Sequence, residues 1–278
     1  MAITAEDVGF DSIWLPDHLL FRIEPDAPEG FWETTALLAG LAASTSRIEI
    51  GALVLCSGFR NPALTAKIAD TIDEISGGRF VLGLGAGYYD PEYEAFGYPA
   101  DHKFGRFEEA LTIIAGLLRH GQVDYSGRYY EARECVLRPR GPRESGPPIM
   151  IGGKGERMLG LIARQADIWN GWIATGTDNQ PRRYPPLKAQ VDAACLAVGR
   201  APESLGRSLG VLTNPCHDTK THVSRLGTPL VGDPVELAER LRAFADQGID
   251  HLQLWVYPGS VENIERFGLV LETMDRLG

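Results

Sequence analysis

The chain has 278 residues, a formal net charge of −10 and 44% hydrophobic residues. That acidic balance argues against a nucleic-acid surface, which normally needs a basic excess, and no apolar run approaches the length of a bilayer span. The four cysteines, at 56, 135, 195 and 216, show no CxxC or metal-finger spacing; with no leader-like start, they point to a reducing cytoplasm.

Residues 2–8 read as the tail of a helix stopped by Gly9, and residues 10–15 as a strand. The strand ends in Pro16, Asp17 and His18, a carboxylate beside an imidazole. A helix is expected over 32–43, with Leu37, Leu41 and Ala42 facing inward. Residues 48–55 are short, apolar and β-branched, which suits a strand buried on both faces. Asn61 then caps a helix, Pro62 occupies its first turn and Gly77 is its left-handed stop. Leu64, Ile68, Ile72 and Ile75 fall on one face of that helix. Residues 80–84 form a second apolar run, so the economical reading is two parallel strands with a crossover helix.

This second strand runs out into Gly83, Gly85 and Gly87. Glycines there let backbone approach a flat ring or an anion, a tight turn being the plainer alternative. A dinucleotide fingerprint fails, because GxGxxG needs glycine where Tyr88 stands and YYDPEYEAFGYP is not an amphipathic helix.

Residues 106–120 are an amphipathic helix closed by Gly121. An insertion over about 122–146 opens with a hairpin, VDYSGRYY, turning at Ser126 and Gly127. Arg138, Arg140 and Arg143 lie among its prolines and glycines, which suits a solvated loop better than a phosphate site. A strand over 148–151 ends in Gly152 and Gly153, and a helix opens behind them. Free N–H groups at a helix start suit a phosphate or carboxylate, and Lys154 adds charge. A strand over 167–169 ends at Asn170.

A helix over 187–198 carries Leu187, Val191, Ala194 and Val198 on one face, and a strand follows over 208–212. The aperiodic stretch to Val231 reads as a cover over a site. Asp233, Pro234 and Glu236 form a capping box, opening a helix that Gly248 stops. Residues 251–256 are a strand, and Val261, Ile264, Phe267, Leu271 and Met274 mark the closing helix.

Seven strands alternating with helices imply a parallel sheet, and at this length a TIM (β/α)8 barrel over residues 1–278 as one domain. Its first strand is expected to lie before Met1. An unclosed barrel exposes sheet edge and points to a second subunit, a homodimer.

The segments GFDSIWLPDH at 9–18, FRNPALTAKIADTIDEISGGRFVLGLGAGYYDPEYEAFG at 59–97, RFEEAL at 106–111, PPIMIGGKGERML at 147–159 and ADIWN at 166–170 together resemble the luciferase-like flavin-dependent oxidoreductases. GDPVELAERLRAFADQGIDHLQLW is similar to that family's last helix and strand. The resemblance implies the same barrel, with a reduced flavin or deazaflavin across the carboxyl ends of the strands. It places Asp17 and His18 at the end of the second strand and Cys56 and Ser57 at the bulged end of the third. Gly85, Ala86 and Gly87 would lie beneath the ring, Gly152 and Gly153 at its phosphate, and Asn170 on the cofactor side.

Hydride chemistry needs a proton to move in concert, and histidine titrates near neutral pH. His18 matches the family's proton-transferring imidazole, with Asp17 orienting it and Glu92 or Glu94 as partnering acid; a satisfied core histidine and a solvated loop are the plain alternatives. Coenzyme F420 implies hydride transfer to or from a small organic substrate. Reduced FMN implies a monooxygenase fed by a separate reductase. A catalytically silent relative that binds flavin or a partner is a third reading. A metal-dependent barrel hydrolase would want clustered ligands such as HxH, which the chain lacks, so no metal site is expected.

Overall fold

A computed structural model describes residues 1–24, 27–173, 178–215 and 227–277. The chain divides into two compact units, residues 14–152 and residues 1–13 with 153–278. In chain order the elements up to Gly152 are α1 (Ala2–Val8), β1 (Ser12–Leu15), β2 (Leu20–Glu24), β3 (Ala27–Gly30), α2 (Thr34–Ser44), β4 (Glu49–Ala52), β5 (Leu55–Cys56), α3 (Pro62–Ser76), β6 (Phe80–Gly85), α4 (Asp90–Phe96), α5 (Lys103–His120), β7 (Gln122–Ser126), β8 (Glu131–Val136) and β9 (Ile149–Gly152). There follow α6 (Glu156–Gln165), β10 (Ile168–Trp172), α7 (Pro185–Ala197), β11 (Gly206–Asn214), β12 (Leu230–Val231), α8 (Pro234–Ala245), β13 (His251–Val256) and α9 (Val261–Leu277).

All seven expected strands are present, as β1, β4 with β5, β6, β9, β10, β11 and β13. Residues 1–9 hold α1 and no strand.

In the unit of residues 14–152, β1, β4, β6 and β9 follow one another across a sheet, and β5 pairs with β6. β6 is buried along its whole length. The strands lie so close that a Cβ on Gly83 would stand 1.8 Å from the Ala52 carbonyl, and one on Gly51 would stand 2.1 Å from the Trp14 ring. Glycine at these two positions is therefore a packing requirement of the sheet.

α3 begins as expected: the Asn61 carboxamide accepts from the N–H groups of Ala63 and Leu64 at 2.9 and 3.2 Å, and Gly77 ends the helix at φ 67°. The faces of α2 and α3 agree with expectation at Ala42 and Ile72 and differ elsewhere. α2 buries Thr34, Leu38 and Ala42, while Leu37 is exposed. α3 buries Ala66, Ala69 and Ile72, while Leu64 and Ile75 are exposed. Alanines let α3 lie close on the sheet, and Leu64 and Ile75 turn outward.

The segment after Gly87 corrects a second expectation. Residues 90–96 form α4, with Pro91 in its first turn and Gly97 as a left-handed stop at φ 74°. It is only seven residues long and buries just Glu92 and Tyr93, too few for an amphipathic period to register.

β7 and β8 form the expected antiparallel hairpin. Its turn lies at 127–130, where the Glu109 carboxylate of α5 accepts from the N–H groups of Arg128, Tyr129 and Tyr130 at 2.8, 2.9 and 3.0 Å. Of the three arginines after it, Arg138 is exposed as expected, but Arg140 and Arg143 are not part of a solvated loop. Arg143 pairs with buried Asp73 and donates to the Phe80 carbonyl, and Arg140 donates to the carbonyls of Leu118 and Glu144. Two carboxylates on the inner part of α3 draw this loop in.

In the other unit β10, β11 and β13 are parallel neighbours, with Asn170 opposite Ser208 and Ser208 opposite His251. α8 opens on the expected capping box, Asp233 accepting from Glu236 N–H and Glu236 from Asp233 N–H. α9 buries Phe267 and Val270. The segment expected to cover a site falls mostly on residues 216–226, outside the described residues.

Candidate functional site

In the unit of residues 14–152 the carboxyl ends of β1, β5, β6 and β9 converge. Cys56 pairs opposite Gly85, and Leu84 opposite Ile151. Gly85 and Gly152 are thus neighbours at one sheet end, and β1 joins them where Leu53 N–H donates to the Leu15 carbonyl at 2.8 Å. The peptide between Leu53 and Val54 is cis.

His18 is the chemical centre of this end. Its Nδ1 lies 2.9 Å from Glu92 Oε2, and the Glu92 side chain is 2% exposed against 19% for the imidazole. The other oxygen of Glu92 accepts from the N–H groups of Leu19 and Leu20 at 2.5 and 3.2 Å. One buried carboxylate therefore fixes both the imidazole and the backbone that follows it. A carboxylate can only accept, so Nδ1 carries the proton of the neutral ring and Nε2 keeps its lone pair. Nε2 faces the Tyr88 hydroxyl at 3.5 Å. Glu94 is exposed and is not the partner.

Asp17 does not orient His18. Its carboxylate accepts from Arg60 through both oxygens, at 2.7 and 2.9 Å, and from Cys56 N–H at 2.8 Å. The nearby guanidinium offers a paired fork that an imidazole cannot match. Arg60 also pairs with Glu33, whose carboxylate caps α2 by accepting from Ala36 N–H at 2.7 Å. Burial works to raise the Glu33 pKa, but hydrogen bonds from Arg60, Ala36 and Thr35 outweigh it and hold the group to about 2.

Cys56 and Ser57 are buried. The Cys56 sulfur lies 2.9 Å from the Tyr93 hydroxyl, which donates to the Ala86 carbonyl at 3.1 Å. Burial pushes the Cys56 thiol up, so it is a packed group and not a poised nucleophile. The glycines have the same internal cause. A Cβ on Gly85 would stand 2.7 Å from Val54, and one on Gly87, at φ 76°, would stand 2.1 Å from the Tyr93 hydroxyl. Packing alone therefore demands glycine at both. Ala86, Gly87 and Gly152 remain half-buried.

The other two expected residues lie together in the second unit. Gly153 N–H donates to the Asn170 carbonyl at 3.4 Å. The Asn170 carboxamide is engaged within the sheet, donating to Ser208 and to Gln253 at 3.1 and 3.0 Å, so this side chain braces strands rather than facing outward. Behind Gly153, the residue at the N-cap of α6 is Gly155, which has no side chain to cap the first turn. Burial pulls the Lys154 ammonium pKa down.

Sequence reasoning missed Arg60, Glu33 and Tyr93, the groups that fix the frame around His18. Among the described residues no group of three His, Cys, Asp or Glu is placed to hold a metal ion, and no helix is long and apolar enough to cross a membrane.

The luciferase-like monooxygenase family matches residues 1–213. An F420-dependent glucose-6-phosphate dehydrogenase of Microbacterium testaceum is 32% identical over 251 residues, covering 84% of this chain and 72% of that protein. The pyrimidine monooxygenase RutA of Cronobacter turicensis is 37% identical over 179 residues, covering 61% of this chain and 46% of that one. The chain thus spans under half the length of that second relative. A solved F420-dependent secondary alcohol dehydrogenase, in complex with an F420-acetone adduct, superposes with a TM-score of 0.81 at 20% identity, covering 98% of this chain and 93% of its own. The fold is accordingly of the TIM-barrel type.

Proposed function

Since the chain belongs to the luciferase-like monooxygenase family, we propose that it is an oxidoreductase acting on a small organic substrate with coenzyme F420, His18 exchanging the accompanying proton at Nε2. The observation that carries this reading is the His18 to Glu92 contact at 2.9 Å. It leaves a lone pair on the ring nitrogen that faces outward. A bound deazaflavin would supply hydride chemistry alone, so the protein must supply a place for the proton. His18 takes it in one direction and returns it in the other, and Glu92 stabilises the imidazolium that forms.

The residues present fit such a cofactor. The half-buried turn at Ala86, Gly87 and Gly152 suits a flat ring. Asp17, Cys56 and Ser57 support the ring side indirectly, by holding the strand end in place.

The likeness to a pyrimidine monooxygenase favours a second reading, reduced FMN with oxygen, supplied by a separate flavin reductase. Titration of the purified protein with F420 and with FMN, followed by oxygen uptake, separates the two. F420 binding without uptake supports hydride transfer; FMN binding with uptake supports oxygenation; binding of neither overturns both and leaves a silent relative.

We also assign the chain to the cytoplasm as a homodimer. α2 carries no charged residue, and its exposed Leu37 lies on the helix that packs against α3, where Leu64 and Ile75 are also exposed. Large apolar side chains grouped on exposed helix faces are normally covered.

A further inference from the structure

Two consecutive residues of α4 reach in different directions. Glu92 holds the imidazole and the N–H groups of Leu19 and Leu20. Tyr93 holds the glycine turn: its hydroxyl donates to the Ala86 carbonyl at 3.1 Å and lies 2.9 Å from the Cys56 sulfur. A phenol has one proton, so with that proton on Ala86 the thiol is the donor to the phenol oxygen. One hydroxyl therefore joins the end of β5 to the turn that follows β6.

The surroundings leave this hydroxyl little freedom. A Cβ on Gly58 would stand 2.7 Å from it, and one on Gly87 only 2.1 Å. The Tyr93 side chain is 1% exposed and packs with Cys56 and Phe59; Leu19, the residue after His18, packs against that group. On another side the Lys103 ammonium lies 4.5 Å from the ring centroid and pairs with Asp90, the first residue of α4. Burial, and after it the Cys56 contact, push the Tyr93 phenol pKa up, so the group remains a neutral donor to Ala86 through the neutral range. A helix of seven residues has little rigidity of its own. Here its two buried side chains are the ones engaged, so a shift of α4 that relaxed one contact would strain the other.

We propose that Tyr93 is a positioning residue for the reaction, its hydroxyl locking the Ala86–Gly87 turn to the helix that carries Glu92, so that the turn and the His18 imidazole keep one spacing. Tyr93 acts through Ala86 on one side and through Glu92 on the other. Its contribution is alignment, and a misplacement of about 1 Å between reacting groups costs on the order of 100-fold in rate. The inference rests on the reading of the glycine turn as a cofactor surface and of His18 as the proton carrier.

The test compares wild type with Tyr93→Phe, which keeps the ring and removes the hydroxyl. Tyr98→Phe is the control, since it removes a hydroxyl from a ring 5.3 Å from Phe59 in the same aromatic group. Amide hydrogen exchange of the full-length protein without cofactor is followed at Leu19 and Leu20, with Leu82, whose N–H donates to the Pro148 carbonyl inside the sheet, as reference. F420 and FMN are then titrated separately by fluorescence. Tyr93→Phe is expected to speed exchange at Leu19 and Leu20 about tenfold with Leu82 unchanged, and to weaken the probe that wild type binds about tenfold; Tyr98→Phe is expected to do neither. Wild-type exchange at Leu19 and Leu20 in Tyr93→Phe overturns the lock, as does unchanged affinity for the bound probe. Equal acceleration at all three amides, or the same response in Tyr98→Phe, also overturns it, because either marks a general loss of packing. The exchange measurement needs no cofactor, so failure of wild type to bind F420 or FMN sinks the cofactor reading, while the lock stands or falls on exchange.

Discussion

A single carboxylate decides what His18 can do. Glu92 reaches Nδ1 with one oxygen and two backbone N–H groups with the other, so replacing it with glutamine separates charge from structure. The glutamine oxygen still serves Leu19 and Leu20, but its amide then faces Nδ1 as a donor. The imidazole must turn that nitrogen into an acceptor and move its proton to Nε2. Glu92→Gln is expected to keep the fold, to show the reversed tautomer in 15N spectra and to lower kcat on the order of 100-fold. An unchanged tautomer would mean that Glu92 only holds the loop. His18 and Glu92 were both legible from sequence, because an imidazole at a strand end and an acid near a glycine turn are visible as residues. Asp17 was legible as a site residue but not in its role, since the partner that claims it, Arg60, is 43 positions away.

At the scale of elements, Arg60 joins the end of β1, the cap of α2 and, through Asp17, the backbone of β5. The Asp17 carboxylate is wholly buried. Arg60→Met removes its partner and leaves that charge uncompensated, a loss of about 3–5 kcal/mol of stability in denaturant melts. Glu33 gives the same bridge an acid dependence. Its pKa is lowered on folding, from 4.5 to about 2, so the folded chain binds fewer protons there than the unfolded one. The stabilisation is complete above about pH 4.5 and is lost as pH falls through about 2. Glu33→Gln should therefore flatten the stability profile across that window relative to wild type while leaving it parallel near neutrality. Helix ends such as Asn61 and Asp233 were legible because caps are local. The inward faces of α2 and α3 were not, because Leu64 and Ile75 keep helical spacing yet Ala66 and Ala69 fit the space against the sheet.

For the molecule as a whole, the outward leucines and isoleucine of α2 and α3 should have a partner. Leu37→Glu with Leu64→Glu is expected to shift the sedimentation of a dimer to that of a monomer, and a wild-type chain that sediments as a monomer would end the homodimer assignment. The seven strands, their order and their alternation with helices followed from apolar runs punctuated by glycine and proline. Each such run reports its own burial and needs no distant partner to be read. So did the glycine-tipped strand ends and the histidine among them. Only the tertiary structure decided which carboxylate meets His18 and why Gly85 and Gly87 are glycine. Those facts depend on which backbones are brought within a few ångströms of each other, as where the Tyr93 hydroxyl stands against Gly87 and the Ala86 carbonyl, and a one-dimensional pattern carries no term for that closeness.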